Sequence, residues 1–240
     1  MPLPWAEPTS SSIRSLVQLR PSDNSCTMEV GDLTPGRRTR PLVRATFEMP
    51  HGVNRVRVVC EETGTILLKM RINGQTNTDL CEIHESSHHD KILVTFRKGN
   101  NRISIGENCT IYGSFNIAAG GTLLIGSGVT CTGPLSIYVF EGTTVTIGDN
   151  CLFSNNVIFR PSDAHRIFDQ ETKVRINNPA NITLGNHVWV GEHVSILKGS
   201  IIPDGCVIGT RSLVTKRFSE PNCIIAGNPA KIIRRGIYWN

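Results

Sequence analysis

Leu184-Gly185-Asn186-His187-Val188-Trp189-Val190-Gly191-Glu192-His193-Val194-Ser195-Ile196 sets an aliphatic residue at every sixth position and a glycine directly after two of them. The spacing runs on through Ile202, Ile208 and Val214, with Gly209 again in place. Four residues after each aliphatic position comes a small or β-branched one: Val188, Val194, Ser200, Cys206, Ser212. An earlier run keeps the same period: Ile105, Ile111, Ile117, Leu123, Val129 and Leu135. Glu141 misses, and Ile147, Phe153 and Phe159 resume the phase. A quarter of the chain is Ile, Leu or Val, so six given positions would all be aliphatic by chance about twice in ten thousand.

A flat sheet has no need of glycine at a fixed offset. Three hexads, each a short strand and a turn, close a triangular coil of eighteen residues. Stacked coils set each aliphatic residue over its equivalent and bury a continuous core. Glycine serves the turns. The expected class is therefore all-β, a parallel β-helix over residues 101–240. The two runs are out of phase, because Ile147 and Leu184 lie one residue beyond six hexads apart. The slip falls in a polar stretch without the glycine rhythm, read as a loop over residues 160–181 that leaves the prism. It carries Ser162-Asp163-Ala164-His165.

Residues 1–40 are rich in Pro and Ser and read as loosely ordered. Residues 41–100 read as a small antiparallel β unit, with a polar His84–Asp90 segment whose histidines belong to an exposed loop. Residues 217–240 read as a cap in which Ile232, Ile233 and Ile237 cover the open end of the solenoid. No stretch reaches the ~20 apolar residues of a membrane span, and no signal-peptide core is visible, so a cytoplasmic protein is expected. The formal charge of +5 comes from dispersed Lys and Arg, which implies a solvated basic surface and no nucleic-acid partner. The eight cysteines form no CxxC pair. Cys109, Cys151 and Cys206 recur at equivalent repeat positions as packed, reduced thiols, with no metal site.

The hexads, the Ser-Asp-x-His loop, Gly185-Asn-His-Val-Trp-Val-Gly191, Ile208-Gly-Thr-Arg-Ser-Leu-Val-Thr-Lys216 and Ala226-Gly-Asn-Pro-Ala-Lys231 with Arg234 occur here in a fixed order. Together, over residues 103–235, they resemble the hexapeptide-repeat O-acetyltransferases that act on sugars, xenobiotics and capsular polysaccharides. The resemblance implies a left-handed helix, acetyl-CoA as cosubstrate, and a homotrimer with its sites between subunits. It assigns His165 the role of general base, since an imidazole can take a hydroxyl proton at neutral pH. Asp163 either orients His165 or caps its own turn; Asp169 or a carbonyl are the other candidates for orienting the ring. By the same resemblance Trp189 lies near the thioester and pantetheine arm, or else packs at a subunit interface. Gly191, Thr210, Thr215 and Lys216 match the CoA groove, and Lys231 and Arg234 the CoA phosphates. Asn155 and Asn156 either contact the acceptor or make a polar turn. The acceptor is expected to be a carbohydrate hydroxyl, on a surface or capsular glycan or its precursor. The asparagine that galactoside-type enzymes carry one coil earlier is missing, since Gly133-Pro-Leu-Ser-Ile137 stands there.

Two other readings compete. A zinc hydratase of the γ-carbonic-anhydrase kind would use His165, His187 and His193. A non-catalytic β-helix would serve as an assembly subunit.

Overall fold

The computed structural model describes residues 25–30, 43–48, 57–59, 66–73, 80–84 and 88–240. The described strands, in chain order, are β1 (Ser25–Val30), β2 (Val43–Glu48), β3 (Arg57–Val59), β4 (Ile66–Asn73), β5 (Leu80–His84), β6 (His88–Arg97), β7 (Arg102–Ile105) and β8 (Thr110–Ala118). They continue with β9 (Thr122–Ile125), β10 (Thr130–Cys131), β11 (Leu135–Val139), β12 (Thr144–Ile147), β13 (Leu152–Phe153), β14 (Val157–Arg160), β15 (Ile182–Leu184) and β16 (Trp189–Val190). The last are β17 (Ser195–Leu197), β18 (Ile201–Ile202), β19 (Val207–Ile208), β20 (Leu213–Val214), β21 (Ile224–Gly227) and β22 (Ala230–Arg234). No helix occurs among the described residues.

The strands stack as a three-sided parallel solenoid. The first face carries β10, β13, β16, β19 and β21, the second β11, β14, β17 and β20, and the third β7, β9, β12, β15 and β18. The chain visits the faces in that order and then steps up one coil. Backbone bonds join successive coils, as in Trp189 N–H to the Cys206 carbonyl at 2.9 Å and Ser195 N–H to the Ser212 carbonyl at 3.0 Å. This satisfies the backbone of very short strands. The hexad residues Leu184, Val190, Ile196, Ile202, Ile208 and Val214 are all inside, and so are Val188, Val194, Ser200, Cys206 and Ser212.

Coil length departs from eighteen in the lower half. Val145 stacks on Ile182 across the excursion, and Thr183 on Ile201 after it, eighteen residues on. Ile103 stacks on Leu123, and Leu123 on Val145, which makes coils of 20 and 22 residues. The additions lie at residues 119–121 and 140–143, on the edge between the second and third faces. Glu141 breaks the hexad series because it stands in one of these enlarged turns, with φ of 58°.

The antiparallel unit expected over residues 41–100 is corrected. β2, β4, β6 and β8 pair in parallel, as do β3, β5 and β7, in the same sheets as the hexad coils. Strands two apart in sequence are neighbours, so this stretch coils rather than folding as hairpins. In this part of the described chain only β1 and β2 run antiparallel, and β1 lies within the stretch expected to be loosely ordered. The remainder of residues 1–40 is outside the described residues. His84 ends β5 and His88 opens β6, so neither belongs to a polar loop.

Phe153 and Phe159 fill the coil below the excursion, fully buried and edge-to-face at 5.9 Å. Phe153→Ala is expected to cost about 3–5 kcal/mol, read from denaturant midpoints. Cys109, Cys131, Cys151, Cys206 and Cys223 are buried free thiols. Burial pushes Cys131 up to about 12 and Cys151 up to about 11, which keeps both protonated. At the top, β22 turns back antiparallel on β21 and covers its edge. Ile232 packs on the core there, whereas Ile233 is 65% exposed and does not join the cap.

Candidate functional site

The His165 loop leaves the prism at the edge between the second and third faces, after β14, and returns into β15. Its neck is closed by Ala180 N–H donating to the Pro161 carbonyl at 2.9 Å. Beyond the neck the chain makes a two-stranded arm. Ile176 N–H bonds the Ile167 carbonyl, Asp169 N–H bonds the Val174 carbonyl (both 2.9 Å), and Phe168 bridges Arg175 antiparallel. The Asp169 carboxylate accepts from Thr172 N–H at 2.7 Å, Thr172 Oγ1 at 2.8 Å and Glu171 N–H at 3.1 Å. These donors hold its pKa below the usual range and spend it on the tip of the arm.

Glu141, the residue that broke the repeat, clamps the root of this arm. Arg175 grips it in a fork, Nη1 to Oε1 at 2.9 Å and Nη2 to Oε2 at 2.8 Å, and Ser162 Oγ donates to Oε2 at 2.6 Å. The Arg175 bonds, then Ser162, hold its pKa down at about 2. Asn177 is buried and ties the next layer. Its Oδ1 accepts from Ile167 N–H at 2.7 Å, and its Nδ2 donates to Asp163 Oδ2 and to the His165 carbonyl, both at 2.8 Å. Lys198, from the coil above, pairs with Asp163, whose carboxyl it holds below the ordinary range. The backbone of His165 is therefore fixed while its side chain is exposed.

Asp163 and Asp169 thus have other partners. Asp163 reaches His165 through Asn177, at the backbone, because the Lys198 cation and the Asn177 amide occupy its carboxylate. Sequence reading missed Glu141, Arg175, Asn177 and Lys198. The signal for Glu141 was there: a charged residue inside an otherwise apolar series.

A low carboxylate pKa is a stability statement. The clamp is at full strength above pH 4.5, the ordinary glutamate value, and is lost as pH falls toward about 2. Glu141→Gln removes the charge at every pH. It is expected to raise amide exchange over residues 161–177 at neutral pH and to lower kcat about 10- to 100-fold through misplacement of His165, with the donor KM unchanged.

The other predicted residues lie elsewhere on the prism. Trp189 stands outward on the first face, 39% exposed, between Leu152 below and Val207 above. Gly191 and Thr210 lie at the edge between the first and second faces, with Asn155 and Asn156 one coil down. Gly191 is buried: a Cβ there would meet the Ile208 carbonyl and Thr210 N at 2.8 Å, so close coil stacking explains this glycine. Thr215 and Lys216 follow β20 on the second-to-third edge, two coils above the loop, and both are exposed. Lys231 and Arg234 are exposed on β22, beside the first face. In a three-sided prism the edge between the second and third faces lies opposite the first. His165, Thr215 and Lys216 therefore fall on one side, and Trp189, Lys231 and Arg234 on the other.

Known proteins resemble the chain in sequence and in fold. The chain is 39% identical over 137 residues to a polysialic acid O-acetyltransferase of Escherichia coli O1:K1 / APEC, a match that spans 57% of this chain and 44% of that relative. It is 37% identical over 189 residues to the polysialic acid O-acetyltransferase of Neisseria meningitidis, covering 69% of this chain and 86% of the relative. The chain belongs to the hexapeptide-repeat O-acetyltransferases. The crystal structure of the polySia-specific acetyltransferase NeuO superposes with a TM-score of 0.66 at 35% identity, over 77% of this chain and 82% of that one. No protein-family model matches the chain.

Membership makes the protein an O-acetyltransferase that uses acetyl-CoA. The exposed cations fit that donor: Lys216, Lys231 and Arg234 can face its phosphates, and the apolar row around Trp189 suits its uncharged arm. The histidines of the zinc reading sit at three different edges, and His187 is stacked against Trp239. Among the described residues, no three His, Cys, Asp or Glu side chains gather to hold a metal, and no helix is long and apolar enough to cross a membrane.

Proposed function

We propose that the protein moves the acetyl group of acetyl-CoA to a carbohydrate hydroxyl, on a surface or capsular glycan or its precursor, in a site completed by two protomers of a homotrimer in the cytoplasm. The observation that carries this reading is the division of the site. His165 leaves the edge opposite the face that bears Trp189, so one protomer cannot bring the two together. Cyclic assembly can, because it sets the loop edge of one prism against the Trp189 face of the next. The arm is built for such a contact: Ile167, Phe168, Val174 and Ile176 are each more than half exposed on it. The carbohydrate class rests on the polysialic acid named for both relatives.

His165, held by Asn177 and the Glu141 clamp, accepts the proton of the acceptor hydroxyl. The oxygen attacks the thioester carbonyl carbon, and backbone N–H groups at the coil turns stabilise the oxyanion. The C–S bond then breaks, and the imidazolium returns its proton to the departing sulfur, leaving an acetyl ester and free CoA. Trp189, Gly191 and Thr210 of one protomer and Thr215 and Lys216 of the other bracket the donor arm, Lys231 and Arg234 take its phosphates, and Asn155 and Asn156 face the acceptor. A panel of glycans and nucleotide sugars, scored by release of free thiol from acetyl-CoA, tests the reading. Thiol release with oligosialic acid or another glycan is the expected result. Release with non-carbohydrate alcohols but with no glycan in the panel would overturn it.

A further inference from the structure

After β22 the chain does not end its course at the cap. Arg235 pairs with Glu220, Nε to Oε2 at 2.6 Å, and Ile237 N–H donates to the Asn222 carbonyl at 2.9 Å. The segment thereby runs back down the prism, past the turn at Asn222 to the turn at His187. There Trp239 lies flat on the His187 imidazole, with ring centroids 3.9 Å apart and planes 3° from parallel. Its indole Nε1–H donates to the His187 carbonyl, and its own carbonyl accepts from His187 Nε2, both at 3.1 Å. With a carbonyl as partner, Nε2 is the ring nitrogen that carries hydrogen. One stack and two reciprocal hydrogen bonds fix the plane of this indole.

That is more restraint than a cap needs. Trp239 remains half-buried, it rests on a polar ring rather than on the core, and its neighbour Tyr238 is 84% exposed. What the restraint does is hold the indole beside Trp189, with centroids 6.0 Å apart and planes tilted by 46°. The two indoles stand side by side in contact as one aromatic wall on the first face, with Leu152 below Trp189 and Val207 above it. Such a wall suits a slender chain of methylenes and amides ending in sulfur, since a thioether or thioester sulfur packs well on aromatic edges.

We propose that Trp239 is a donor-binding residue, forming with Trp189 the aromatic wall along which the pantetheine arm of acetyl-CoA lies, with His187 as its mount. This rests on the placement of Trp189 at the donor. The probes are CoA, which has the arm, and adenosine 3′,5′-bisphosphate, which lacks it, titrated calorimetrically into the wild type, Trp189→Ala, Trp239→Ala and Trp239→Phe. Loss of an aromatic wall is expected to weaken CoA binding and raise the acetyl-CoA KM about tenfold in Trp239→Ala, with kcat little changed and bisphosphate binding unaltered. Trp239→Phe keeps the ring and loses the indole bond, so its effect is smaller; should the alanine variant not fold, the same contrast is read from Trp239→Phe and Trp239→Leu. Weaker CoA binding in Trp189→Ala with none in the Trp239 variants would overturn the assignment and leave the donor site where it is. No effect in either would remove Trp189 from the donor as well. Equal loss of both probes in Trp239→Ala would show a collapsed groove and also overturn the assignment.

Discussion

His165→Ala is expected to reduce turnover about 10²- to 10⁴-fold while CoA binds with unchanged affinity. The structure separates the ring from its support. Asn177 holds the carbonyl of residue 165, not its side chain, and Glu141, Arg175, Ser162 and Lys198 anchor the arm without it. Removing the imidazole leaves each of these bonds in place, so neither the thermal midpoint nor amide exchange in the arm is expected to move. Loss of activity can then be assigned to the missing base. Glu141→Gln supplies the contrast: it keeps the imidazole and loosens its support, so it loses less activity but changes exchange across the arm. Free-thiol release with one fixed acceptor gives turnover, and calorimetry with CoA gives binding. Near-wild-type turnover in His165→Ala would sink the assignment of the base.

The prism was legible in the sequence because its core is local. An aliphatic residue in a β-helix packs on its equivalent one coil away, so the requirement repeats at a short interval and appears as a period. The fixed glycine offset and the one-residue slip between Ile147 and Leu184 were legible for the same reason, and the slip located the arm. The lower coils were not. Their strands β2 to β6 alternate as hairpin strands also would, and they stack at intervals of 23 residues (Arg44 on Leu67) and 24 residues (Leu68 on Ile92), so the eighteen-residue period that distinguishes a coil from a meander is absent. The His165 loop was located through its motif, but the residues that support it were not. Glu141 and Arg175 are 34 residues apart and meet only because a coil closes between them. Trp239 and His187 are separated by 52 residues and are joined by a tail with no repeat at all. Contacts of that kind leave no pattern in a single chain. Only the oddity of each residue in its own surroundings hints at them.

The division of site residues between opposite sides of the prism leads to the second large effect. Assayed at acetyl-CoA far below the KM of Trp189→Ala, where each is nearly inactive alone, His165→Ala and Trp189→Ala are expected to recover activity when co-expressed and co-assembled. In the proposed ring of three, each site would take His165 from one protomer and Trp189 from the next. A site is whole when the first protomer carries the Trp189 substitution and the second the His165 substitution, because each defect then faces a different cleft. With random assembly at equal amounts, about a quarter of the sites meet both conditions, so about a quarter of wild-type turnover should return. If the site lay within one protomer, every protomer in the mixture would still lack one of the two residues and no activity would reappear. The same mixture made from His165→Ala and Thr215→Ala gives the opposite expectation. Both residues stand on the edge between the second and third faces, so an assembled cleft draws them from the same protomer. Co-assembly then makes no site in which both are intact, and turnover does not rise above that of the Thr215→Ala parent. Recovery in the first pairing and none in the second would require the cleft to lie where the two sides of neighbouring prisms meet.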